Sequence, residues 1–188
     1  MKLRRLLTLS VALGLIGCVR DGTDGPTGPG FQNIDIRASD AEGAVLASAS
    51  GGANWALIIE GIPPIDQVLG FSATKFDDGT VRGHIEYQQT FFGETFRFNA
   101  TVTCMNVYDG NRVKYGGEVI VSNDPTVPPG TFIWFQGIDN GEGAGAPPDQ
   151  STGSGFGTEE ENQEFCDSPA PPNPIFVADI DGNIQVDG

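Results

Sequence analysis

Val81-Arg82-Gly83-His84-Ile85-Glu86-Tyr87-Gln88 is the stretch on which the fold turns. Val81, Gly83, Ile85 and Tyr87 fall on one face, and Arg82, His84, Glu86 and Gln88 on the other. That period of two marks a half-buried antiparallel strand. Just upstream, Asp77-Asp78-Gly79-Thr80 supplies the Asp-Gly pair that a tight hairpin favours, and Leu69 to Phe76 leads into it as the preceding strand.

Working downstream, Gly93-Glu94 predicts the next turn. Phe96, Phe98, Ala100, Val102 and Cys104 then alternate against Arg97, Asn99, Thr101 and Thr103, which sends Cys104 inward with the aromatics. Asp109-Gly110-Asn111 turns the chain again, and Val113, Tyr115, Gly117, Val119 and Val121 return opposite Lys114, Gly116 and Glu118. Phe132-Ile133-Trp134-Phe135 is apolar on both faces, so the strand from Thr131 to Gly137 is expected to be covered on both sides. Upstream, Trp55 to Glu60 is a short apolar run ended by Pro63-Pro64. Gly141 to Gly157 reads as a glycine-rich loop with a strand near Phe156, and Ile175 to Ile180 and Ile184 to Val186 read as closing strands. No helical period is evident after residue 18. The expected class is all-β, an antiparallel meander closing as a small β-barrel or a two-sheet β-sandwich.

The amino terminus predicts export. Met1-Lys2-Leu3-Arg4-Arg5 is a positive segment, followed by an apolar run from Leu6 to Ile16. That run is shorter than the roughly 18 to 20 apolar residues of a membrane span. Leu15-Ile16-Gly17-Cys18 resembles the bacterial lipobox, which implies a leader over 1–17 and a diacylated Cys18 as the new N-terminus. Each buried methylene adds about 0.8 kcal/mol to such an anchor. Residue 19 is Val rather than Asp, which by resemblance to lipoprotein sorting favours the outer membrane of a bacterial cell envelope. The stretch 18–52 contains Gly25-Pro26-Thr27-Gly28-Pro29-Gly30 and reads as a Gly/Pro/Asp-rich tether, leaving 53–188 as a single β domain.

The formal charge is −15, and loss of Lys2, Arg4 and Arg5 with the leader makes it −18. Such a surface repels phosphate backbones, so nucleic acid is not an expected partner. Glycine at 27 residues and proline at 13 suit many tight turns rather than a helical bundle. With Cys18 acylated, Cys104 and Cys166 remain as an even pair in an oxidising compartment, where a disulfide is the default.

Catalytic motifs are not apparent. His84 is the only histidine and sits on a polar strand face beside Glu86. No G-x-S-x-G, H-E-x-x-H or phosphate-binding glycine loop occurs, and Gly153-Ser154-Gly155 lacks the flanking strand and helix of a nucleophile elbow. The expectation is a protein that is not an enzyme and needs no cofactor. The candidate ligands for calcium are Asp139, Asn140 and Glu142 with Asp149, because oxygen-bearing residues around a glycine can converge on a hard cation. Asp179-Ile180-Asp181-Gly182-Asn183 is a second such group without a closing glutamate. Glu159-Glu160-Glu161 reads as a solvated charge run.

Gly83-His84-Ile85-Glu86-Tyr87, then Val102-Thr103-Cys104, Gly117-Glu118-Val119, and Gly137 to Gly143 with Asp149 and Cys166 form an ordered set. As a set it resembles a functionally uncharacterised group of small exported bacterial β proteins. The resemblance implies export, the β fold and pairing of Cys104 with Cys166, and it brings no catalytic residue. The expected function is therefore an envelope lipoprotein whose β domain binds or scaffolds an envelope protein. Phe91-Phe92 and Phe132 to Phe135 are the first places to look for a contact patch. The alternative is a lipocalin-like carrier of a small apolar ligand.

Overall fold

The Asp-Gly hairpin forms as its sequence dictates. In the computed structural model, which describes residues 43–169, 176–177 and 180–188, β2 (Ile65–Phe76) and β3 (Val81–Phe91) flank it. Gly79 sits at φ 86°, and Asp78 accepts from the Thr80 amide at 2.8 Å. β4 (Glu94–Tyr108), β5 (Arg112–Ser122) and β6 (Phe132–Ile138) continue the meander, each antiparallel to the last. β1 (Val45–Leu57) pairs with β2 on one side and β10 (Asp181–Asp187) on the other. At the far edge β6 pairs with two short strands, β7 (Gln150–Thr152) and β8 (Gly155–Gly157), and β9 (Phe176–Val177) adds to β7. The single antiparallel sheet runs β10-β1-β2-β3-β4-β5-β6-β7-β9 and curls until it is nearly closed, so the all-β small barrel expected from the sequence is the fold.

The leader expected over 1–17, Cys18 and the first part of the expected tether, to residue 42, lie outside the described residues. The strand that opens the barrel, however, begins at Val45, inside the stretch assigned to the tether. Its small residues look loose in sequence but face inward for a reason. Ala49 and Ala53 are buried, and Gly51 lies opposite Ile184 of β10, where a small wall lets the sheet curl tightly.

Inward residues fill the interior rather than lining a lumen. Phe71 stacks on Tyr115 with ring centroids 4.0 Å apart, Tyr115 meets Phe135 at 5.8 Å, Phe135 meets Tyr87 at 5.8 Å, and Tyr87 stacks on Phe98 at 4.8 Å. Leu69, Ile85, Val113, Ile133 and Ile184 pack around them, all buried. Each such ring pair adds about 0.5–1.5 kcal/mol beyond its buried area.

Two departures from the sequence reading share one cause, a break in alternation. The β4–β5 register shifts between Val102 and Cys104. The bulge reverses the phase, so Met105 joins the core while Cys104 turns to the outer face. A second shift between Asn99 and Ala100 leaves Ile120 and Val121 exposed.

What Cys104 meets outside is a helix, contrary to the expectation of none. α1 (Glu159–Asp167) opens with the acidic run Glu159-Glu160-Glu161, whose three side chains are exposed as a solvated charge run should be. Thr158 and Glu161 form a capping box: the Glu161 amide donates to Thr158 Oγ1, and the Thr158 amide donates to the Glu161 carboxylate at 2.8 Å. Three glutamates in the first turn also suit the positive end of the helix dipole. The helix lies over β4, β5 and β6, held by the Cys104–Cys166 disulfide and by Phe165 stacked on Trp134 at 5.9 Å. This is the second cover that the apolar β6 demands. Gly116 permits the approach, since a Cβ there would collide with Asn162 Oδ1. At the other helix end, buried Lys114 donates to the Ser168 carbonyl and to Ser168 Oγ, supplying the C-terminal cation that α1 itself lacks. Burial holds the Lys114 ammonium below its usual pKa.

Candidate functional site

The candidate calcium ligands serve the barrel itself. Asp139 follows β6, and its carboxylate accepts from the Gly141 amide at 2.8 Å and the Val186 amide at 3.0 Å. Asp149 precedes β7 and accepts from the Asn140 amide at 2.8 Å and the Ile184 amide at 2.6 Å. Ile184 and Val186 are two apart on β10, on the edge that faces away from β1. Two carboxylates thus stand in for the missing ladder where the sheet ends meet. Asn140 is tied to the Pro148 carbonyl, and Glu142 is exposed. Asp181-Gly182-Asn183 of the second group lies in β10, paired with β1 rather than looped around an ion. Among the described residues no three acidic, histidine or cysteine side chains converge as a metal site.

His84 has a neighbour that the sequence did not reveal. Ser72 Oγ lies 3.0 Å from His84 Nδ1, because the two are register partners on the outer faces of β2 and β3. His84 is exposed and Ser72 half-buried on the outside of the barrel.

The two proposed contact patches part ways. Ile133 and Phe135 are fully buried, so the β6 aromatics belong to the barrel core and to the seat of α1. Phe92 is 69% exposed, with the half-buried Phe91 ring 4.3 Å away. The turn between β3 and β4 is the two-residue loop Phe92-Gly93, at φ 49° and 81°. That is the primed geometry which fits sheet twist and which Asn-Gly satisfies best. A bulky side chain held there is an outlier.

Register places a second apolar tip beside it. Leu57 pairs with Ile65, and Asp66 pairs with Thr90, so the 58–64 loop and the 92–93 turn project from neighbouring hairpins at the same barrel end. Ile58 is 69% exposed, and Leu57, Ile59 and Ile62 are exposed beside it. The loop is braced by the Ile62 amide donating to the Ile59 carbonyl at 3.1 Å. Just inside this end, the register partners Trp55 and Gln67 are buried, with the indole N–H and the amide oxygen lacking hydrogen-bond partners. The second tip escaped the sequence reading because Ile58 and Ile59 belong to the same apolar run as Trp55, with no period that separates strand from turn. The Gly61 and Pro63-Pro64 that follow were the signal that the apolar run spills into a turn.

Comparison of the chain with known protein families, with curated proteins and with solved structures finds no match.

Proposed function

We propose that this chain is a lipoprotein of the bacterial envelope, anchored through acylated Cys18 with the outer membrane favoured, whose β-barrel is a non-enzymatic binding or scaffolding module. The observation that carries the reading is the pair of exposed apolar hairpin tips, 57–62 and 91–92, at one end of a barrel whose interior is filled by its own aromatic rings. Exposed apolar side chains gathered on neighbouring hairpin tips of an acidic protein mark an interaction site. Gly43, the first described residue, lies beside Phe76 and Asp77, so the described chain enters the barrel at the end opposite the apolar tips. The packed interior favours this reading over a lipocalin-like carrier, which needs room for its ligand.

Two measurements test it. Mass spectrometry of the mature protein should find a diacylated Cys18 at the N-terminus, and an unmodified start would remove the anchor. A photo-crosslinking residue at position 92 in the intact envelope should give a discrete adduct that the same residue at position 110, at the other barrel end, does not. Co-purification of a stoichiometric apolar small molecule instead would favour the carrier.

A further inference from the structure

We infer that the apolar end docks a protein partner whose apolar side chains are framed by lysine or arginine. The inference rests on the contact reading above and adds the chemistry of the partner. The exposed charges at the two tips are Glu60, Asp66 and Glu94. Four of the five cationic side chains among the described residues lie elsewhere: Lys75, Arg82, Arg112 and Lys114 are near the opposite strand ends. The fifth, Arg97, is set back along β4, and its Nε donates to Gln88 at 2.8 Å. A surface complementary to these tips is therefore apolar at its centre and basic at its rim.

The other occupants fit less well. A second copy docking end to end would set the same three carboxylates against themselves. A bilayer would take the isoleucines and Phe92, but three carboxylates at the same level would be dragged to a surface that carries negative charge of its own. The backbone at Phe92 points the same way. A turn that Asn would fill without strain instead holds an exposed aromatic ring, as contact residues at strained positions do.

The test uses the full chain carrying Cys18→Ala, so that no acyl group binds lipid. Fluorescence anisotropy would compare an amphipathic leucine–lysine peptide with its leucine–glutamate counterpart of equal length. The lysine peptide should bind at least roughly tenfold tighter, with the preference shrinking at high salt. Phe92→Asn combined with Ile58→Ser should lower its affinity roughly tenfold without lowering Tm. Glu60→Gln with Glu94→Gln should narrow the preference between the peptides. Equal binding of both peptides, still lost with Phe92→Asn, would overturn the basic partner but leave the contact surface standing. Binding indifferent to Phe92→Asn would overturn both. Tighter association with phosphatidylcholine vesicles than with either peptide, or concentration-dependent dimerisation in sedimentation, would overturn the protein partner in favour of a bilayer or a second copy.

Discussion

Phe92 puts local stability and surface chemistry in opposition. At φ 49° its backbone is in the left-handed region, where a residue with a large side chain is disfavoured and Asn is tolerated. The ring gains a contact with Phe91 but stays largely in water. Phe92→Asn creates the Asn-Gly dipeptide that primed hairpin turns prefer. It should therefore raise stability by about 0.5–1 kcal/mol, seen as a Tm increase of a few degrees in thermal circular dichroism. A fall in Tm would mean that the Phe91–Phe92 contact outweighs the backbone strain. Asp149 is the opposite case, a buried carboxylate held in place by backbone donors on both of its oxygens. Its two oxygens bind the amides of Asn140 and Ile184, the latter in the buried seam. Asp149→Asn keeps one acceptor oxygen but points an NH2 group at an N–H donor, so a loss of about 2–3 kcal/mol is expected in urea unfolding. An unchanged midpoint would show that the seam does not depend on the carboxylate.

At the scale of elements, α1 depends on side chains supplied by the sheet. The helix has nine residues, too few to be stable alone. Its docking comes from the disulfide, from Phe165 on Trp134, from Asn162 Nδ2 donating to Thr103 Oγ1 at 3.1 Å, and from Lys114 at its C-terminus. Cys104 and Cys166 are 62 positions apart, and closing a loop of that length contributes about 4 kcal/mol in the chain-entropy model. Cys104→Ala with Cys166→Ala should therefore release the helix first. Amide exchange across 159–167 should accelerate while β2 to β4 stay protected, because the interior aromatic chain does not involve the bridge; uniform loss of protection would mean that the helix is integral to the barrel. The hairpins were legible in sequence because Asp77 to Thr80 and Asp109 to Asn111 encode turns locally, and period two assigns faces between them. The outward turn of Cys104 was not, since a bulge adds one residue without any compositional mark. The helix was marked by Thr158-x-x-Glu161, but three adjacent glutamates and a surrounding glycine-rich composition hide a nine-residue amphipathic period. The seam was unreadable for a deeper reason: whether Asp139 and Asp149 bind an ion or an amide depends on where β10 lies, some 35 to 47 residues further along the chain.

Across the β domain as a whole, the feature with the clearest thermodynamic signature is that its tyrosines are built into the structure. Tyr115 is fully buried against Phe71 and Phe135, and burial pushes its phenol well above the ordinary range. Burial likewise raises Tyr87 to about 12, outweighing a hydrogen bond with Ser154 that acts the other way. Tyr108, less buried, is raised for the same reason. These three are all the tyrosines of the chain. A group whose folded pKa lies above its unfolded value binds more protons when native, so its contribution is complete below pH 10 and is lost as pH climbs toward the folded value. For Tyr87 alone, two pH units correspond to about 3 kcal/mol, and Tyr115 adds to it in the same direction. Lys114, held below its usual pKa, works oppositely: unfolding would restore its ordinary proton affinity, so rising pH favours the folded state as this lysine discharges. Two deeply buried phenols outweigh one lysine. The barrel should therefore stay folded to about pH 10 and unfold cooperatively between about 10 and 12, with phenolate absorbance at 295 nm rising together with the loss of β-sheet circular dichroism. A tyrosine step completed near pH 10 on an intact barrel would mean that water reaches the rings, and that the interior is an open cavity rather than a packed core.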